Sequence, residues 1–264
     1  MKDVSILTNN GVNVQKSLEL FGDMATYDDT LHDFLAEIDN KLAKIKMFKE
    51  QSDMANYAIL VHSLKSDSRY FGFEKLAELA YNHEMESKAN NMYYVTDHYD
   101  ELMHEANRIL QIVKEYMGVE TGTFQQTVKP IVIKDKTILV VDDSNVVRNF
   151  VYKIFNNEYD VLIANDGSEA INILNNNVDD KIVGVLLDLN MPNVNGFEVL
   201  DYFKNANLFA RIPVAIITGE GTDENIKKAY TYPIVDMLQK PFNEVNVKNI
   251  VDKLIMIHNM NKDA

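Results

Sequence analysis

The sequence predicts two domains of different class, an all-α domain followed by an α/β domain with a parallel sheet. In the first 120 residues, apolar side chains recur at helical spacing, proline is absent and glycine is scarce. From residue 137 onward, short β-branched runs alternate with amphipathic stretches. Residues 119–136 between the two regions are polar and are interrupted by Gly122 and Pro130, which is typical of a linker.

The helical domain is predicted from the spacing of its apolar residues. One segment carries Leu31, Phe34, Leu35, Ile38, Leu42 and Ile45 at helical intervals. Helices with such faces bury them against one another, so we expect a bundle of the four-helix type. The predicted helices lie at about 12–21, 27–50, 53–70, 73–88 and 94–117.

The α/β domain is predicted from five short apolar runs. In chain order these runs are TILVV, VLIA, IVGVLL, PVAIIT and IVDML. Helical patterns such as NVVRNFVYKIF, SEAINILNN and NEVNVKNIVDKLIMI accompany them, and strands that alternate with helices form a parallel sheet covered on both faces. We therefore expect a helical bundle at 1–118, a linker at 119–136, an α/β domain at 137–260 and a short tail at 261–264.

Composition excludes several classes of function. The 264 residues include no cysteine, which rules out disulfides, thiol catalysis and thiolate metal sites. The net charge is −14, and residues 1–120 hold 12 Lys and Arg against 21 Asp and Glu, so we expect no nucleic-acid partner. The N-terminus does not resemble a signal peptide, and no stretch approaches the roughly 20 apolar residues that span a bilayer. We expect a soluble, cytoplasmic protein with no membrane insertion.

Polar residues follow four of the five predicted strands. Asp142 and Asp143 end the first strand, Asp188 ends the third, Thr218 the fourth and Lys240 the last. In a doubly wound sheet these strand ends share one crevice, where three carboxylates would repel one another unless a proton or a cation intervened. Oxygen ligands suit Mg²⁺, and an aspartate nucleophile beside Mg²⁺ and an ammonium suits phosphoryl transfer. Helix or turn capping could explain any one of these residues, but it does not account for the whole set.

Residues 137–260 resemble a response-regulator receiver domain. The matching segments are VVDD, DLNMPNVNG, ITG and KPF, and the resemblance implies a flavodoxin-like strand order of 2-1-3-4-5. It implies that Asp188 is the phosphoacceptor and that Mg²⁺ is bound by Asp143, by Asp188, by the backbone carbonyl of Asn190 and, through a water, by Asp142. It also implies that Thr218 and Lys240 contact the phosphoryl oxygens, and that Pro192 and Gly196 shape the loop after Asp188.

The sequence departs from the receiver pattern near the last strand. Met237 stands where the family usually has an aromatic residue, and Gly219 stands where a small residue such as alanine follows the threonine. The loop AYTYPIVD also lacks the usual Gly-Ala turn. These departures leave the predicted chemistry intact but put the usual coupling between threonine and aromatic residue in question.

The helical domain contains one histidine with cationic neighbours. His62, Lys65, Ser66 and Arg69 share a helix face, opposite a mostly apolar face. We therefore expect His62 to point outward, which argues against a core histidine. Zinc needs about four converging ligands, and a bundle surface offers no shaped pocket for a hydrolytic triad. An exposed imidazole beside cations suits transient phosphorylation.

The stretch HSLKSDSRYFG resembles the phosphorylated-histidine motif of histidine-phosphotransfer domains, H-x-L-K-G. It keeps His62, Leu64, Lys65 and a later Gly72, and it has Ser66 where glycine is usual. The resemblance covers roughly residues 10–118, and it implies that His62 accepts and donates the phosphoryl group. For the other histidines we expect surface or boundary positions; they are His32, His83, His98, His104 and His258.

Together these features predict a two-component phosphorelay protein without an output DNA-binding domain. It would be a phosphoryl carrier rather than a kinase, with at most self-phosphotransfer and autodephosphorylation. Its expected partners are a sensor histidine kinase and separate receiver or histidine-phosphotransfer proteins. The alternative is an interaction module that signals through Asp188 only, with the helical domain as a docking or dimerisation bundle. A hydrolase of the haloacid-dehalogenase type is a third hypothesis, although the second aspartate of its usual D-x-D arrangement is replaced here by Asn190 after Asp188.

Overall fold

The first part of the chain is helical, as predicted. The computed structural model describes residues 2–118, 134–177, 181–219 and 223–262, and the chain divides into two compact units, Met1–Lys129 and Pro130–Ala264. The helices of the first unit are α1 (Ser5–Thr8), α2 (Val14–Phe21), α3 (Met24–Glu50), α4 (Met54–Tyr70), α5 (Glu74–Lys88), α6 (Met92–Asp97) and α7 (Tyr99–Met117).

Four of these helices form a bundle. Helix α3 packs against α4 and α7, and α5 also packs against α4 and α7. Aromatic rings fill part of the interior, where the ring centroid of Phe71 lies 5.6 Å from that of Phe21 and 5.2 Å from that of Phe34. Buried aromatic side chains contribute large apolar areas, so this cluster stabilises the contacts of α2 and α3 with the end of α4.

Helix α4, which carries His62, begins at a capping aspartate and ends just before a glycine. The side chain of Asp53 accepts a hydrogen bond from the backbone N–H of Asn56 at 3.1 Å and so caps the N-terminus. After Phe71 the chain turns at Gly72, whose φ is +72°. A Cβ atom at Gly72 would lie 2.4 Å from the backbone oxygen of Asn13, so only glycine fits there.

The single helix predicted at 94–117 is wrong, because the structure has two helices there. The side chain of Asn91 accepts a hydrogen bond from the N–H of Tyr94 at 3.2 Å, which starts α6 two residues early. The chain then breaks at His98, whose Nδ1 lies 3.1 Å from the carbonyl oxygen of Tyr94 and whose ring stacks on that tyrosine at 4.0 Å. The apolar spacing continues across the break, so the sequence pattern does not predict the break.

The second unit is the predicted α/β domain. Its strands are β1 (Thr137–Val141), β2 (Asp160–Ala164), β3 (Ile182–Asp188), β4 (Val214–Thr218) and β5 (Asp236–Gln239). Its helices are α8 (Asn145–Phe155), α9 (Gly167–Asn175), α10 (Gly196–Asn205), α11 (Asp223–Ala229) and α12 (Glu244–Lys262), with one 3-10 turn at Leu208–Ala210.

The five strands form one parallel sheet in the order β2-β1-β3-β4-β5, which confirms the predicted topology. The strand order reverses between β1 and β3, and ligand sites of open α/β sheets lie at such a reversal. The register of β1 and β3 places their carboxyl ends next to each other. Val141 pairs with Leu187, so the residues that follow them, Asp142 and Asp188, lie side by side.

Parts of the predicted linker and tail lie outside the described residues. They are residues 119–133 of the linker and residues 263 and 264 of the tail. Helix α12 runs to Lys262, so the first two residues of the predicted tail are helical. Across the ranges that the structure describes, every helix is too short or too polar to cross a bilayer.

Candidate functional site

The carboxyl ends of β1 and β3 bring three carboxylates together, as the sequence predicts. Ligand oxygens of Asp142, Asp143 and Asp188 all lie within 4.8 Å of one another. Asp142 and Asp188 are fully buried, whereas Asp143 is half-buried. Because like charges at this distance repel, the cluster requires a compensating cation or proton.

Lys240 supplies part of that compensation. Its Nζ lies 2.6 Å from Oδ2 of Asp142 and 2.6 Å from Oδ2 of Asp188, and the lysine is itself buried. Burial alone would lower the pKa of Lys240, but the charges of Asp142, Asp188 and Asp143 raise it above its ordinary value. The pKa of Asp142 is raised, mainly because the carboxyl is buried and also because Asp188 is near, while Lys240 opposes the shift. The lysine is therefore a permanent cation inside the acidic cluster.

Backbone and side-chain contacts fix the orientation of the two buried carboxylates. Oδ1 of Asp142 accepts a hydrogen bond from the N–H of Ser144 at 2.9 Å, and Oδ1 of Asp188 accepts one from the N–H of Asn190 at 3.1 Å. The buried guanidinium of Arg148 donates through Nη1 to the backbone oxygen of Asp142. Arg148 was absent from the predicted site, although its position on α8, six residues after Asp142, is visible in the sequence.

Thr218 is the last residue of β4, and it follows Ile217, which pairs with Asp188. Thr218 pairs with Gln239 on β5, and Lys240 is the next residue after Gln239. Thr218 is 2% exposed, and its Oγ1 has no hydrogen-bond partner among the residues that the structure describes. A buried hydroxyl without a partner destabilises a fold, so this atom is a candidate contact for a group that enters the crevice.

The loop after Asp188 approaches it closely at Gly196. A Cβ atom at Gly196 would lie 2.2 Å from the backbone oxygen of Asp188, so the predicted loop glycine is required by close packing. Pro192 is half-buried in this loop. Met237 lies on β5 and packs, partly buried, against the core of the sheet, in the position where an aromatic residue was expected.

The expected exposure of His62 is wrong. The side chain is buried, with only 1% of the residue exposed, and the eight residues from Val61 to Ser68 are all buried. The helical pattern assigned one apolar face to α4, but α4 packs against α2, α3 and α5. A helix with neighbours on several sides buries its polar face as well as its apolar one.

The buried imidazole of His62 pairs with a carboxylate from α5. Nδ1 of His62 lies 2.7 Å from Oε1 of Glu84, whose Oε2 accepts a hydrogen bond from Nζ of Lys65 at 2.7 Å. Nζ of Lys88 donates to Oε1 of the same carboxylate at 2.5 Å. Burial would raise the pKa of Glu84, but the hydrogen bond from His62 and the charges of His62, Lys65 and Lys88 lower it far below its ordinary range. Glu84 is therefore ionised and accepts the hydrogen bond from Nδ1–H of His62.

The predicted cationic surface around His62 is also corrected. Lys65 and Ser66 are buried, with 2% and 5% exposed, and only Arg69 is half-buried. Nζ of Lys65 lies 5.6 Å from the ring centroid of Tyr81, and Arg69 lines a cleft of about 270 Å³ together with that tyrosine. The structure thus brings His62 and Lys65 together through Glu84.

A second histidine, His83, is buried although a surface or boundary position was expected. Its Nδ1 accepts a hydrogen bond from the hydroxyl of Tyr57 at 2.7 Å, and its Nε2–H donates to the backbone oxygen of His98 at 3.2 Å. Burial lowers the pKa of His83 to about 4. The neutral ring ties α4 and α5 together one residue before Glu84.

Glu84 and Lys88 were missed by sequence reasoning. Glu84 lies 22 residues after His62 on a different helix, and the same helix also carries Glu74, Glu78 and Glu86. Only the packing of α5 on α4 distinguishes Glu84 from those other carboxylates. No pattern in a single sequence selects it.

Comparisons with known proteins agree with this geometry. The family model of the response regulator receiver domain matches residues 138–252, and the model of the Hpt domain matches residues 27–111. The chain is 31% identical over 120 residues to the chemotaxis protein CheY1 of Helicobacter pylori, a match that covers 45% of this chain and 95% of that protein. The chain is 27% identical over 132 residues to the two-component response regulator ARR6 of Arabidopsis thaliana, which covers 47% of this chain and 71% of that protein.

A third relative is a larger protein. The chain is 33% identical over 109 residues to the CAI-1 autoinducer sensor kinase/phosphatase CqsS of Vibrio cholerae, and that match covers 40% of this chain and 16% of CqsS. The acidic crevice at the strand reversal and these matches define a receiver domain. The chain belongs to the response regulator receiver family. It also carries an Hpt domain ahead of the receiver, an arrangement that makes it a two-component phosphorelay protein.

Proposed function

We propose that this phosphorelay protein carries phosphoryl groups on two side chains, Asp188 of the receiver domain and His62 of the Hpt domain. The observation that carries the proposal is the convergence of Lys240 on the buried carboxylates of Asp142 and Asp188. The proposed boundaries are 1–118 for the Hpt domain, 119–136 for a linker and 137–260 for the receiver. The protein acts as a carrier, with at most self-phosphotransfer and autodephosphorylation, and it works in the cytoplasm.

In the receiver domain the carboxylate of Asp188 is the nucleophile. One of its oxygens attacks the phosphorus of a phosphorylated donor histidine, the bond between nitrogen and phosphorus breaks, and the electron pair returns to the imidazole. Nζ of Lys240, 2.6 Å from Asp188, stabilises the charge on the transferred phosphoryl oxygens. The buried hydroxyl of Thr218 provides a neutral donor at the next strand end.

The acidic cluster fits a magnesium ion. The proposed ligands are Asp143, Asp188 and the backbone carbonyl of Asn190, with Asp142 acting through a water. The donor set supports this assignment, because three carboxylates offer ligand oxygens within 4.8 Å of one another and Mg²⁺ prefers oxygen ligands. The ion, when bound, neutralises part of the negative charge of the carboxylates and of the phosphoryl group.

In the Hpt domain Nε2 of His62 is the phosphoryl acceptor. Its lone pair attacks the phosphorus of an aspartyl phosphate, the phosphorus–oxygen bond breaks, and the aspartate leaves as a carboxylate with the electron pair. The product is an imidazolium that keeps its proton on Nδ1, and the ionised carboxylate of Glu84 at 2.7 Å stabilises that positive charge. Because His62 is 1% exposed, transfer requires that Nε2 first becomes accessible to the partner aspartate.

The proposed partners are a sensor histidine kinase and separate receiver or Hpt proteins. The burial of His62 also favours the second candidate function, in which the protein signals through Asp188 and the helical domain is a docking bundle. The two candidates differ in the linkage of the bound phosphate. Phosphohistidine is labile to acid, whereas an aspartyl phosphate is labile to base.

The test is phosphorylation of four proteins in Mg²⁺, using a phosphorylated sensor kinase as donor. The proteins are the wild type, His62→Ala, Asp188→Ala and the double variant. We expect base-labile label to require Asp188 and acid-labile label to require His62. Unchanged labelling of the double variant contradicts the proposal, and loss of label from Asp188→Ala with no change in His62→Ala supports the docking-bundle candidate.

A further inference from the structure

The helical unit contains a buried serine hydroxyl that has no hydrogen-bond partner among the described residues. Six Ser and Thr side chains are buried in the described part of this unit, and five of them have hydrogen bonds. Four hydroxyls donate to a backbone oxygen: Ser17 to Asn13 (3.3 Å), Thr30 to Thr26 (2.7 Å), Ser68 to Leu64 (2.7 Å) and Ser87 to Glu84 (3.1 Å). The hydroxyl of Ser63 accepts a hydrogen bond from Nζ of Lys41 (2.8 Å). The sixth, Ser66, is 5% exposed, and its Oγ has no hydrogen-bond partner among the described residues.

A helical serine normally has a partner close at hand, because its hydroxyl can donate to the carbonyl oxygen four residues earlier. Ser68, on the same helix, does so. The hydroxyl of Ser66 does not, and a buried hydroxyl without a partner destabilises the fold. This hydroxyl is therefore available to donate to an acceptor that enters the site.

The position of Ser66 points to that acceptor. Ser66 follows His62 by four residues on α4, so the two side chains lie on one face, one turn apart. Side chains of a helix lean toward its N-terminus, which directs the Ser66 side chain toward the turn of His62. A phosphoryl group on the histidine would add three strong acceptor oxygens on this face.

We propose that Ser66 Oγ–H donates a hydrogen bond to a phosphoryl oxygen on Nε2 of His62 and thereby stabilises the phosphohistidine. This inference rests on the proposed phosphorylation of His62. The nearby ammonium groups of Lys65 and Lys88 already donate to the carboxylate of Glu84. The hydroxyl of Ser66 would add a neutral donor for the phosphoryl group. Glycine, which the histidine-phosphotransfer motif usually has at this position, could not make this bond.

The test compares the stability of the phosphohistidine in four full-length proteins, each with Asp188→Ala so that only histidine is labelled. The proteins carry the wild-type serine, Ser66→Ala, Ser66→Gly or Ser68→Ala, and phosphoramidate is the donor. The rate of loss of acid-labile phosphate is measured after the donor has been removed, and the ³¹P resonance of the phosphohistidine is recorded. A further variant with His62→Ala identifies the signal that belongs to His62.

We expect Ser66→Ala and Ser66→Gly to lose the phosphoryl group of His62 about 10-fold faster or more than the wild-type serine, as expected for the loss of one hydrogen bond to a charged group. The ³¹P resonance should move in the same variants. Ser68→Ala should keep the wild-type rate and resonance although it removes a hydrogen bond within the helix.

Thermal unfolding of the unphosphorylated proteins separates this role from a structural one. Ser66→Ala should keep or raise the Tm, because it removes a buried hydroxyl without a partner, whereas Ser68→Ala should lower it. An unchanged rate of phosphate loss in Ser66→Ala overturns the inference alone. Absence of any signal that depends on His62 overturns the proposed role of His62 and this inference with it.

Discussion

Nδ1 of His62 lies 2.7 Å from Oε1 of Glu84, and each of these side chains is 2% exposed. The pair joins α4 to α5 inside the bundle, and Lys65 completes it from the same helix as His62. A carboxylate bound at Nδ1 leaves Nε2 as the nitrogen that would accept a phosphoryl group in the proposed reaction. The imidazole is thus held in one orientation by its contact with α5.

Replacing Glu84 with glutamine should slow phosphorylation of His62 by about 10-fold or more, since the charge that stabilises the imidazolium is lost. The measurement is the initial rate of acid-labile labelling by a phosphorylated receiver. Glu86→Gln, on the same helix, is the control and should keep the wild-type rate. Equal rates for Glu84→Gln and Glu86→Gln would show that the carboxylate plays no part in the reaction.

Removing the ammonium of Lys240 should destabilise the receiver domain. Lys240→Ala leaves Asp142 and Asp188 buried without their cation, and we expect a loss of about 3 kcal/mol in the free energy of unfolding without Mg²⁺. Added Mg²⁺ should then raise the Tm of this variant by more than it raises that of the wild type, because the ion replaces the missing charge. The measurement is thermal unfolding with and without Mg²⁺.

Lys248→Ala is the control for this experiment. Nζ of Lys248 pairs with Glu244 at 2.6 Å on α12, and both side chains are nearly half exposed, so the loss of this pair should change little. If Mg²⁺ stabilises Lys240→Ala no more than Lys248→Ala, the ion does not bind where the lysine acts.

His83 should make the stability of the protein depend on pH below neutrality. Its pKa is about 4 in the folded protein, against about 6.5 in an unfolded chain. Between these values the unfolded chain binds a proton that the folded protein does not, so the free energy of unfolding decreases as the pH falls from 6.5 to 4. The full loss is about 3 kcal/mol.

Urea unfolding at several pH values checks this prediction. The difference in stability between the wild type and His83→Gln should shrink as the pH falls through that window, because only the wild type loses the contribution of a neutral His83. His104→Gln, at an exposed position, is the control and should follow the wild type. A difference that stays constant with pH contradicts the assigned state of His83.

Adding a methyl group at Gly196 should disturb the loop that follows Asp188. The new Cβ atom would lie 2.2 Å from the backbone oxygen of Asp188, and we expect Gly196→Ala to lose about 2 kcal/mol or more of stability. The control is Gly184→Ala on β3, where the nearest atoms belong to the side chain of Leu254, from 3.0 Å. Denaturant unfolding measures both, and a loss from Gly196→Ala no larger than that from Gly184→Ala would contradict the predicted clash with the backbone.

The sheet and its acidic crevice could be predicted because they follow from local patterns. Each strand is a short apolar run, and parallel strands place their carboxyl ends at one edge. Once the order was known, Asp142, Asp188, Thr218 and Lys240 had to meet there. Arg148 was missed because it contacts the backbone of Asp142, and no sequence pattern predicts such a contact.

The surroundings of His62 could not be predicted because they depend on which helices meet. A helical wheel separates apolar from polar faces, but it cannot show that α4 has neighbours on several sides. The polar face of α4 is buried because Glu84 and Lys41 from other helices satisfy it: Glu84 binds His62 and Lys65, and Lys41 binds Asp67 at 2.5 Å. Such pairing is a tertiary property.

The most direct test of the two-site account is the stability of bound phosphate in acid. The wild type and His62→Ala are phosphorylated in Mg²⁺ by a phosphorylated sensor kinase, and the bound phosphate is divided into acid-labile and base-labile fractions. The account predicts both fractions in the wild type and only the base-labile fraction, carried by Asp188, in His62→Ala. An identical division in the two proteins would contradict it.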